Sequence, residues 1–158
     1  MDYARSLGGA GIGARLRRLS EQIDGDAARV YATLGIDFEQ RWFGVLNQLA
    51  LNGPATVGEL ALKLRITHAS VSQTRDSLEK AGLIKSKVDK IDARRRRLEL
   101  TAAGRRLVLR LKSLWQYFEE AALELAAEAR DLMASLDRLD DALERQSMLE
   151  RIMKRVND

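Results

Sequence analysis

Residues 67–101 read THASVSQTRDSLEKAGLIKSKVDKIDARRRRLELT, and this stretch divides at Gly82 into two patterns. Before the glycine, residues suited to a packed face recur at helical spacing: Val71, Thr74, Leu78 and Ala81. Thr67 precedes them, and its hydroxyl can accept from an amide in the first turn of a helix. Glycine is favoured just beyond a helix C-terminus, where the backbone turns left-handed. The pattern therefore predicts a helix that begins after Thr67 and ends at Gly82.

The outer face of this predicted helix is polar and could meet the edges of DNA bases. It carries His68, Ser72, Gln73 and Asp76. A glutamine can bond an adenine edge with two hydrogen bonds, and serine can donate or accept. We take Ser70, Ser72 and Gln73 as candidate base contacts, next to Thr67 and His68 at the helix start. Arg75 is a candidate for a phosphate contact or a core-edge residue. A merely solvated face is the alternative, and for an isolated helix it is the commoner one.

The residues after Gly82 predict a two-stranded hairpin with a basic tip. Apolar residues typical of strands flank the tip: Leu83, Ile84, Val88, Leu98 and Leu100. Residues 85–97 hold seven lysines and arginines and two aspartates, so their net charge is +5, against +4 for the whole chain. Like charges repel, and a phosphate backbone is the usual partner of such a segment. A solvated charge run is the alternative, and the polar helix face before the hairpin makes it less favoured.

The hairpin carries a motif that resembles the wing signature of the MarR family of transcriptional regulators. Asp92-Ala93-Arg94 is followed by LELTAAG at residues 98–104, and the preceding run LEKAGLI at 78–84 also matches. The resemblance covers nearly the whole chain and implies a dimeric winged helix-turn-helix protein that binds DNA. It implies that Arg94 enters the minor groove and that Asp92 steadies it. Many relatives have arginine where this chain has Gln73 and Ser77.

The rest of the chain is predicted to be mostly helical. Met1–Gly13, with four glycines, suggests a frayed arm or a loose first turn. A first long helix is interrupted near Gly25 and ends at Gly35, and a second is marked by Phe38, Trp42, Val45, Leu46 and Leu49. Thr56 and Glu59 match a capping box for a short helix that ends near Leu64. Thr101 caps another long helix, and a last helix begins near Asp131 with a slip in its apolar register.

These elements predict one domain over residues 1–158, mostly α with a small β-hairpin. Residues 38–104 form its winged helix-turn-helix part, and residues 14–35 and 105–156 form a helical dimerisation part. The long amphipathic helices have more apolar face than the winged helix can cover, which predicts a homodimer. A monomer with these helices folded back is the less favoured alternative. Charge is uneven as well, since residues 113–158 hold 11 acidic and 6 basic residues, a net of −5.

Composition limits the chemistry of the chain. It has no cysteine and one histidine, so a disulfide or a thiol switch is excluded and a zinc site is poorly supported. Ser70, His68 and Asp76 lack the nucleophile turn of a hydrolase, and the glycines at 8–13 follow no strand. We therefore expect no enzyme activity, no metal and no cofactor. Without a long apolar run we also expect no signal peptide or membrane span, and a cytoplasmic protein by default.

The family resemblance implies a pocket for a small organic effector. Six residues are candidates to line it: Tyr31, Phe38, Arg41, Trp42, Trp115 and Phe118. For each aromatic residue ordinary core packing is the better explanation, because aromatic residues at helical spacing are usually core. Arg41 would pair an anionic ligand or, equally, a surface carboxylate.

Together these patterns predict a sequence-specific DNA-binding regulator, a ligand-responsive repressor that binds a pseudo-palindromic operator as a homodimer. Residues 68–75 would enter a major groove, and Arg94, with Lys90, Arg95 and Arg96, would reach the flanking backbone and minor groove. The main alternative is a helical dimeric module whose winged helix and basic wing dock an acidic protein. An enzyme, or the regulatory half of one, is the second alternative.

Overall fold

The computed structural model describes residues 2–92 and 95–157. Its helices are α1 (Tyr3–Ser6), α2 (Ile12–Thr33), α3 (Trp42–Asn52), α4 (Val57–Leu64), α5 (His68–Lys80), α6 (Ala102–Glu128), α7 (Leu132–Arg145) and α8 (Met148–Asn157), with a 3-10 turn at Gly8–Gly11. Its strands are β1 (Ala55–Thr56), β2 (Ile84–Val88) and β3 (Arg96–Leu100). The fold class is as predicted, mostly helical with a small antiparallel sheet. The chain forms two compact units, Met1–Lys112 and Ser113–Asp158.

The helix-turn-helix of the first unit consists of α4 and α5. Thr56 and Glu59 form the predicted capping box, in which the Glu59 N–H donates to Thr56 Oγ1 at 3.2 Å and the Thr56 N–H donates to Glu59 Oε2 at 2.8 Å. The two helices are separated by a sharp turn at Arg65, whose φ of 54° is left-handed. Thr67 caps α5, because the Ser70 N–H donates to its hydroxyl at 3.1 Å. These local bonds satisfy amides that have no partner within their own helix.

The core of the first unit is made by α3, α4, α5 and β3. Its fully buried side chains include Val45, Leu46, Leu60, Val71, Leu78 and Leu98. Thr74 is 5% exposed, so the inward face predicted for α5 is confirmed at Val71, Thr74 and Leu78. Ala81 is exposed, which corrects its predicted place on that face. The reason is that α5 ends at Lys80 and the chain turns at Gly82, whose φ is 72°.

The sheet has three strands in the order β1-β3-β2, all antiparallel. The β2–β3 hairpin is the predicted one, with Ile84 opposite Leu100 and Val88 opposite Arg96. The third strand was not predicted, and it is only Ala55–Thr56, paired with Leu98 and Arg97. Two residues carry no alternation that a sequence pattern could show. This short strand links the start of α4 directly to the hairpin.

The joint between the hairpin and α6 explains the Thr-x-x-Gly part of the family motif. The Thr101 hydroxyl donates to the Gly82 carbonyl at 2.7 Å and accepts from the Gly104 N–H at 3.0 Å. Thr101 thereby caps α6, as predicted. A Cβ added at Gly104 would lie 2.0 Å from the Leu83 carbonyl oxygen. Only glycine permits this approach of α6 to the chain that enters the hairpin.

Three other helix predictions need correction. Residues 3–11 form α1 and a 3-10 turn rather than a frayed arm. Helix α2 runs through Gly25 without interruption, because one interior glycine costs only about 1 kcal/mol and a 22-residue helix tolerates it. Phe38 lies in an extended segment before α3, which begins at Trp42.

The predicted last helix is in fact two, α7 and α8. Ser147 starts α8 with a reciprocal cap: the Glu150 N–H donates to Ser147 Oγ at 3.2 Å, and the Ser147 N–H donates to Glu150 Oε2 at 2.7 Å. The slip in apolar register is this break. Neither helix has a buried residue. Within residues 2–92 and 95–157, no helix combines the length and apolarity of a membrane span.

Candidate nucleic-acid interface

The first turns of α5 present an exposed polar surface. His68, Ser70 and Gln73 are exposed and Ser72 is half-buried. Ser70 is partly engaged, since its hydroxyl lies 2.9 Å from that of the capping Thr67. The Gln73 side chain makes no hydrogen bond to another described residue, so its amide is available to a ligand. Among the predicted base contacts Gln73 is therefore the side chain best placed to read a base edge.

Arg75 lies on the side of α5 that faces the hairpin. Its Nε and Nη2 donate to Asp76 Oδ1 at 2.9 and 2.7 Å, and its side chain is 32% exposed. It borders a groove whose other side is formed by Lys85, Ser86 and Arg96 of the hairpin. The arginine is thus held at the groove, while the Asp76 carboxylate is occupied by this pair. This position fits the predicted role at a phosphate.

A second groove brings the start of α5 and the base of the wing together. It has a volume of about 650 Å³ and is lined by Thr56, Val57, Gly58, Glu59, Leu62, His68, Arg75, Arg95 and Arg96. Gly58 allows close packing there, since a Cβ at that position would lie 3.3 Å from His68 Nε2. Three arginines and a histidine against one carboxylate make the groove strongly positive. Phosphate groups are the natural counter-charge for such a surface.

The cations of the hairpin fall into two classes, and those of the first class are paired within the protein. Lys85 and Lys87 both pair with Glu99, at 3.2 and 2.7 Å, and Arg97 pairs with Asp89 at 3.4 Å. These lysines hold the pKa of the Glu99 carboxyl below its usual value, chiefly through the hydrogen bond from Lys87. The predicted charge of +5 is therefore largely neutralised within the protein.

The remaining wing cations are the candidates for contact with DNA. Arg95 pairs only loosely with Asp92, at 3.5 Å with both side chains exposed. Lys90 and Arg96 make no ion pair with any described residue. Arg94, the predicted minor-groove residue, lies outside the described residues together with Ala93. Its role and the steadying role of Asp92 stay predictions.

Comparison with known proteins identifies this arrangement. Residues 34–95 match the model of the MarR family, a segment that includes the helix-turn-helix, β1, β2 and the wing turn. The winged-helix part of the chain belongs to the MarR family. This agrees with the resemblance of the wing motif. A comparison with curated proteins finds no significant match.

Solved structures extend the likeness beyond the matched segment. The structure of a MepR–DNA complex from S. aureus has a TM-score of 0.70 and 24% identity, and the match covers 83% of this chain and 97% of that one. NMB1585, a MarR family regulator from Neisseria meningitidis, has a TM-score of 0.61, 25% identity, and coverage of 85% and 92%. BpsR from Bordetella bronchiseptica, whose DNA binding is regulated by 6-hydroxynicotinic acid, has a TM-score of 0.67, 22% identity, and coverage of 82% and 93%. With the family match, these neighbours make the chain a regulator of the MarR type and not an enzyme.

Asp89 is a wing residue whose charge is evident from the sequence but whose structural role is not. Its side chain is 8% exposed, and its Oδ1 accepts from the N–H groups of Ile91 and Asp92 at 2.8 and 3.0 Å. These two backbone bonds, then Arg97, hold the pKa of the carboxyl below its ordinary value. Aspartate followed by a tight turn is a recognisable signal, because its side chain bonds the backbone two residues on. That signal could have identified Asp89 as the residue that holds the wing turn.

Three of the aromatic candidates for the effector pocket are core residues of the first unit. Tyr31, Phe38 and Trp42 are 1%, 6% and 4% exposed. The rings of Tyr31 and Phe38 are 4.7 Å apart and those of Phe38 and Trp42 are 5.6 Å apart, so the three pack in series. The Trp42 Nε1–H donates to Ser77 Oγ at 2.9 Å, which joins the start of α3 to α5.

The other three candidates lie in different surroundings. Arg41 is exposed and bonds Glu39, whose carboxyl also accepts from Ser77 Oγ at 3.1 Å. The bond from Arg41 is the main cause of the lowered pKa of Glu39. Trp115 and Phe118 are half-buried on α6 in the second unit. The alternative of core packing thus describes Tyr31, Phe38 and Trp42, and an effector site at the six residues stays a prediction.

Proposed function

We propose that this MarR-family protein is a sequence-specific DNA-binding repressor that acts as a homodimer. One observation carries the proposal: side chains of α5 and loosely paired or unpaired cations of the described wing residues line the same positive groove. His68 and Arg75 come from the helix, and Arg95 and Arg96 come from the wing. A helix and a basic hairpin side by side fit a major groove and the adjacent backbone of one duplex. The DNA complex of the similar MepR supports this assignment.

Contacts with DNA divide into readers and anchors. Gln73 and Ser72 read bases in the major groove, where glutamine discriminates adenine. Arg75, Lys90, Arg95 and Arg96 bind phosphates, which add affinity for every sequence. Arg94 enters the minor groove, as the family motif implies. This division separates the residues that set specificity from those that set salt dependence.

The homodimer is supported by exposed apolar faces on three helices. On α2 they include Leu16, Leu19 and Ile23, on α7 Leu132, Leu136, Leu139 and Leu143, and on α8 Leu149, Ile152 and Val156. All of these side chains are at least 36% exposed, which is unusual for a monomer when they form continuous stripes. A second copy of the chain would cover them. Two-fold symmetry then places the recognition helices in half-sites about 34–36 Å apart on a pseudo-palindromic operator.

A small organic effector would act by changing the spacing of the two recognition helices. Such a ligand favours the dimer conformation to which it binds more tightly, and so shifts the population away from the DNA-competent form. The regulation of BpsR by 6-hydroxynicotinic acid supports an effector of this kind. The two tryptophans, Trp42 and Trp115, provide a fluorescence signal with which to screen aromatic carboxylates.

The experiment that tests DNA binding is fluorescence anisotropy at two salt concentrations. The purified full-length chain is titrated with the duplex upstream of its own coding sequence and with a scrambled duplex of the same composition. Tight binding that prefers the upstream duplex supports the site-specific regulator. Equal, steeply salt-dependent binding to both duplexes would restrict the chain to general DNA affinity. No binding at low salt would overturn the proposal and favour the module that docks an acidic protein.

A further inference from the structure

Arg96 and Arg97 are neighbours in a run of four arginines, but they serve opposite faces of the hairpin. Successive residues of a strand point to opposite sides. Arg96 shares its face with the buried Leu98 and Leu100 and borders both grooves beside α5. Arg97 lines a different cleft, with Pro54, Lys63 and the end of α3. The two arginines therefore cannot be assumed to do the same work.

The Arg97 guanidinium is held by three oxygen acceptors of the protein. Nη1 lies 3.4 Å from Asp89 Oδ2, and Nη2 lies 3.6 Å from Glu59 Oε2. Nη2 also donates to the Pro54 carbonyl oxygen at 2.5 Å. A guanidinium offers donors in a fixed fork, so one arginine can join several acceptors at once. The side chain is 37% exposed, about half the 69% of Arg95.

These acceptors belong to three separate parts of the winged helix. Pro54 precedes β1, and Thr56 of β1 lies directly opposite Arg97 in the sheet register. Glu59 is the capping-box carboxylate of α4, and its pKa is lowered mainly by the bond from the Thr56 N–H and then by Arg97. Asp89 holds the turn of the wing through two backbone N–H groups. Arg97 thus connects the start of the helix-turn-helix with the wing turn through one side chain.

We propose that Arg97 is a positioning residue, which fixes the wing relative to α4 and α5 and does not itself bind phosphate. Its partner Asp89 extends the connection to the turn, whose backbone carries Lys90, Asp92 and Arg95. A wing held in this way presents its cations in one geometry, so less order has to be imposed when DNA binds. This inference rests on the proposed DNA-binding function only for its effect on affinity. The hydrogen-bond network itself is independent of that function.

The first test compares Arg97→Gln with the matched control Arg96→Gln, in the full-length dimer. Each change removes one positive charge from adjacent positions of the same strand. Arg96→Gln is expected to reduce the slope of log affinity against log salt by about 0.9, the value for one lost phosphate contact. Arg97→Gln is expected to weaken binding about tenfold at fixed salt while the slope stays unchanged, because two ion pairs and a hydrogen bond are lost inside the protein. A slope that falls equally in both variants would overturn the proposal.

A second pair of variants tests the partner. Asp89→Asn keeps the size of the side chain but removes the charge that Arg97 pairs with, so it is expected to weaken DNA binding without changing the slope. The double variant Asp89→Asn/Arg97→Gln is expected to be little worse than either single variant, since residues that act through one contact are not additive. Arg97→Lys, which offers a single ammonium, is expected to restore only part of the affinity. Fully additive losses would contradict the link between the two residues.

Amide hydrogen exchange provides a readout that needs no DNA. In the wild type the Asp92 N–H donates to Asp89 at 3.0 Å and the Arg95 N–H donates to the Asp92 carbonyl at 2.9 Å. Arg97→Gln is expected to speed exchange at Asp92 and Arg95 by about tenfold or more, with α5 and α6 unaffected. Unchanged exchange in the wing would overturn the positioning role even if the wild type failed to bind DNA. Failure of all DNA binding with faster wing exchange would instead disprove the proposed function alone.

Discussion

The winged helix and the C-terminal helices differ in how much apolar surface they bury. In the first unit, Leu46, Leu60, Val71, Leu78 and Leu98 are almost completely enclosed. In the second unit, α7 and α8 bury no residue, and the five apolar side chains of α8 are between 44% and 69% exposed. A helix with one strongly apolar stripe is stable only when that stripe is covered. The first region therefore carries its own core, while the second requires another surface.

Local capping does not account for this difference. Helix α4 begins with the Thr56–Glu59 box and α8 begins with the equivalent Ser147–Glu150 box. Arg151 also donates to the carbonyls of Ala142 and Gln146, which ties α8 to the end of α7. Both regions thus have well-formed helix starts, each worth about 1 kcal/mol. What separates them is tertiary burial, and that difference can be tested by substitutions in each region.

The largest effect is expected from Gly104→Ala in the winged helix. The new Cβ would lie 2.0 Å from the Leu83 carbonyl oxygen, so either α6 or the entry to the hairpin must move. We expect the free energy of unfolding of this unit to fall by about 3 kcal/mol, the upper range for overpacking. Thermal unfolding followed by circular dichroism measures the change.

Gly13→Ala is the matched control for this substitution. Gly13 lies within α2, and no atom of another part of the chain lies within 4 Å of the position that its Cβ would take, so the same methyl group meets open space. Alanine has the higher helix propensity, and we expect equal or slightly higher stability, by up to about 1 kcal/mol. An equal loss in the two variants would show that the close approach at Gly104 does not limit the fold.

Leu136→Glu tests whether a second chain covers the apolar stripe of α7. Leu136 is 38% exposed within a single chain, so the glutamate can remain solvated in a monomer. Buried in a dimer interface, its carboxylate would lose that solvation in both copies at once. We expect the dimer dissociation constant to rise by about a hundredfold or more, which corresponds to roughly 3 kcal/mol. Sedimentation velocity over a range of protein concentrations measures it.

Ala134→Glu places the same charge on the opposite side of the same helix. Residues 134 and 136 are two positions apart, which is about 200° around an α-helix. We expect this control to leave the dimer intact. A Leu136→Glu protein that stays fully dimeric at low micromolar concentration would remove α7 from the interface.

The elements that could be predicted from the sequence are those whose evidence is local. Helix α5 follows from its cap at Thr67, its inward face of Val71, Thr74 and Leu78, and its end at Gly82. The break before α8 carries an equally local signal in Ser147 and Glu150, although the register slip alone was taken as its mark. Strand β1 had no such signal, because two residues form a strand only when a partner such as Leu98 is placed beside them.

The division of labour within the wing could not be predicted in the same way. Composition shows the charge of residues 85–97, but pairing depends on the strand register, which places Lys85 opposite Glu99. Arg97 acquires Glu59 and the Pro54 carbonyl from a segment about 40 residues earlier in the chain. The groove beside α5 was predicted in its residues on both sides, His68 and Arg75 on the helix and Arg95 and Arg96 on the wing. Which of the described arginines is held by the protein was decided by tertiary structure alone.

Gln73→Ala is expected to change sequence preference within the winged helix and to leave the rest of the molecule unaffected. The glutamine amide is exposed and bonds no described residue, so its removal does not disturb the core. Discrimination at one base pair of each half-site should fall by about 1–3 kcal/mol, the value of one bidentate base contact. Binding to a set of duplexes with single substitutions measures this preference. Lys80→Ala, at the far end of α5, is the control, because a lost phosphate contact weakens all duplexes alike; an unaltered preference in Gln73→Ala would exclude it as a reader.

The smallest expected effects concern two carboxylates, one in each region. The pKa of Asp89 is lowered by the N–H groups of Asp92 and Ile91, and that of Glu150 by the N–H and hydroxyl of Ser147. A carboxyl whose pKa is lower in the folded chain stabilises it above the ordinary value, and this stability is lost as pH falls through the lowered pKa. For Asp89 the loss should begin near its ordinary value of 3.8, and for Glu150 near 4.5.

Each carboxylate should therefore matter only in its own region. Asp89→Asn is expected to perturb the amide signals of the wing at pH 7, and the difference from wild type should shrink below pH 3.8 as Asp89 itself becomes protonated. Glu150→Gln should do the same at the start of α8 and leave the wing unchanged. A two-dimensional NMR titration of the two variants measures both regions together. Wing signals that respond to Glu150→Gln would show that the two regions are coupled, and the comparison between a self-contained winged helix and a dependent pair of helices would then have to be given up.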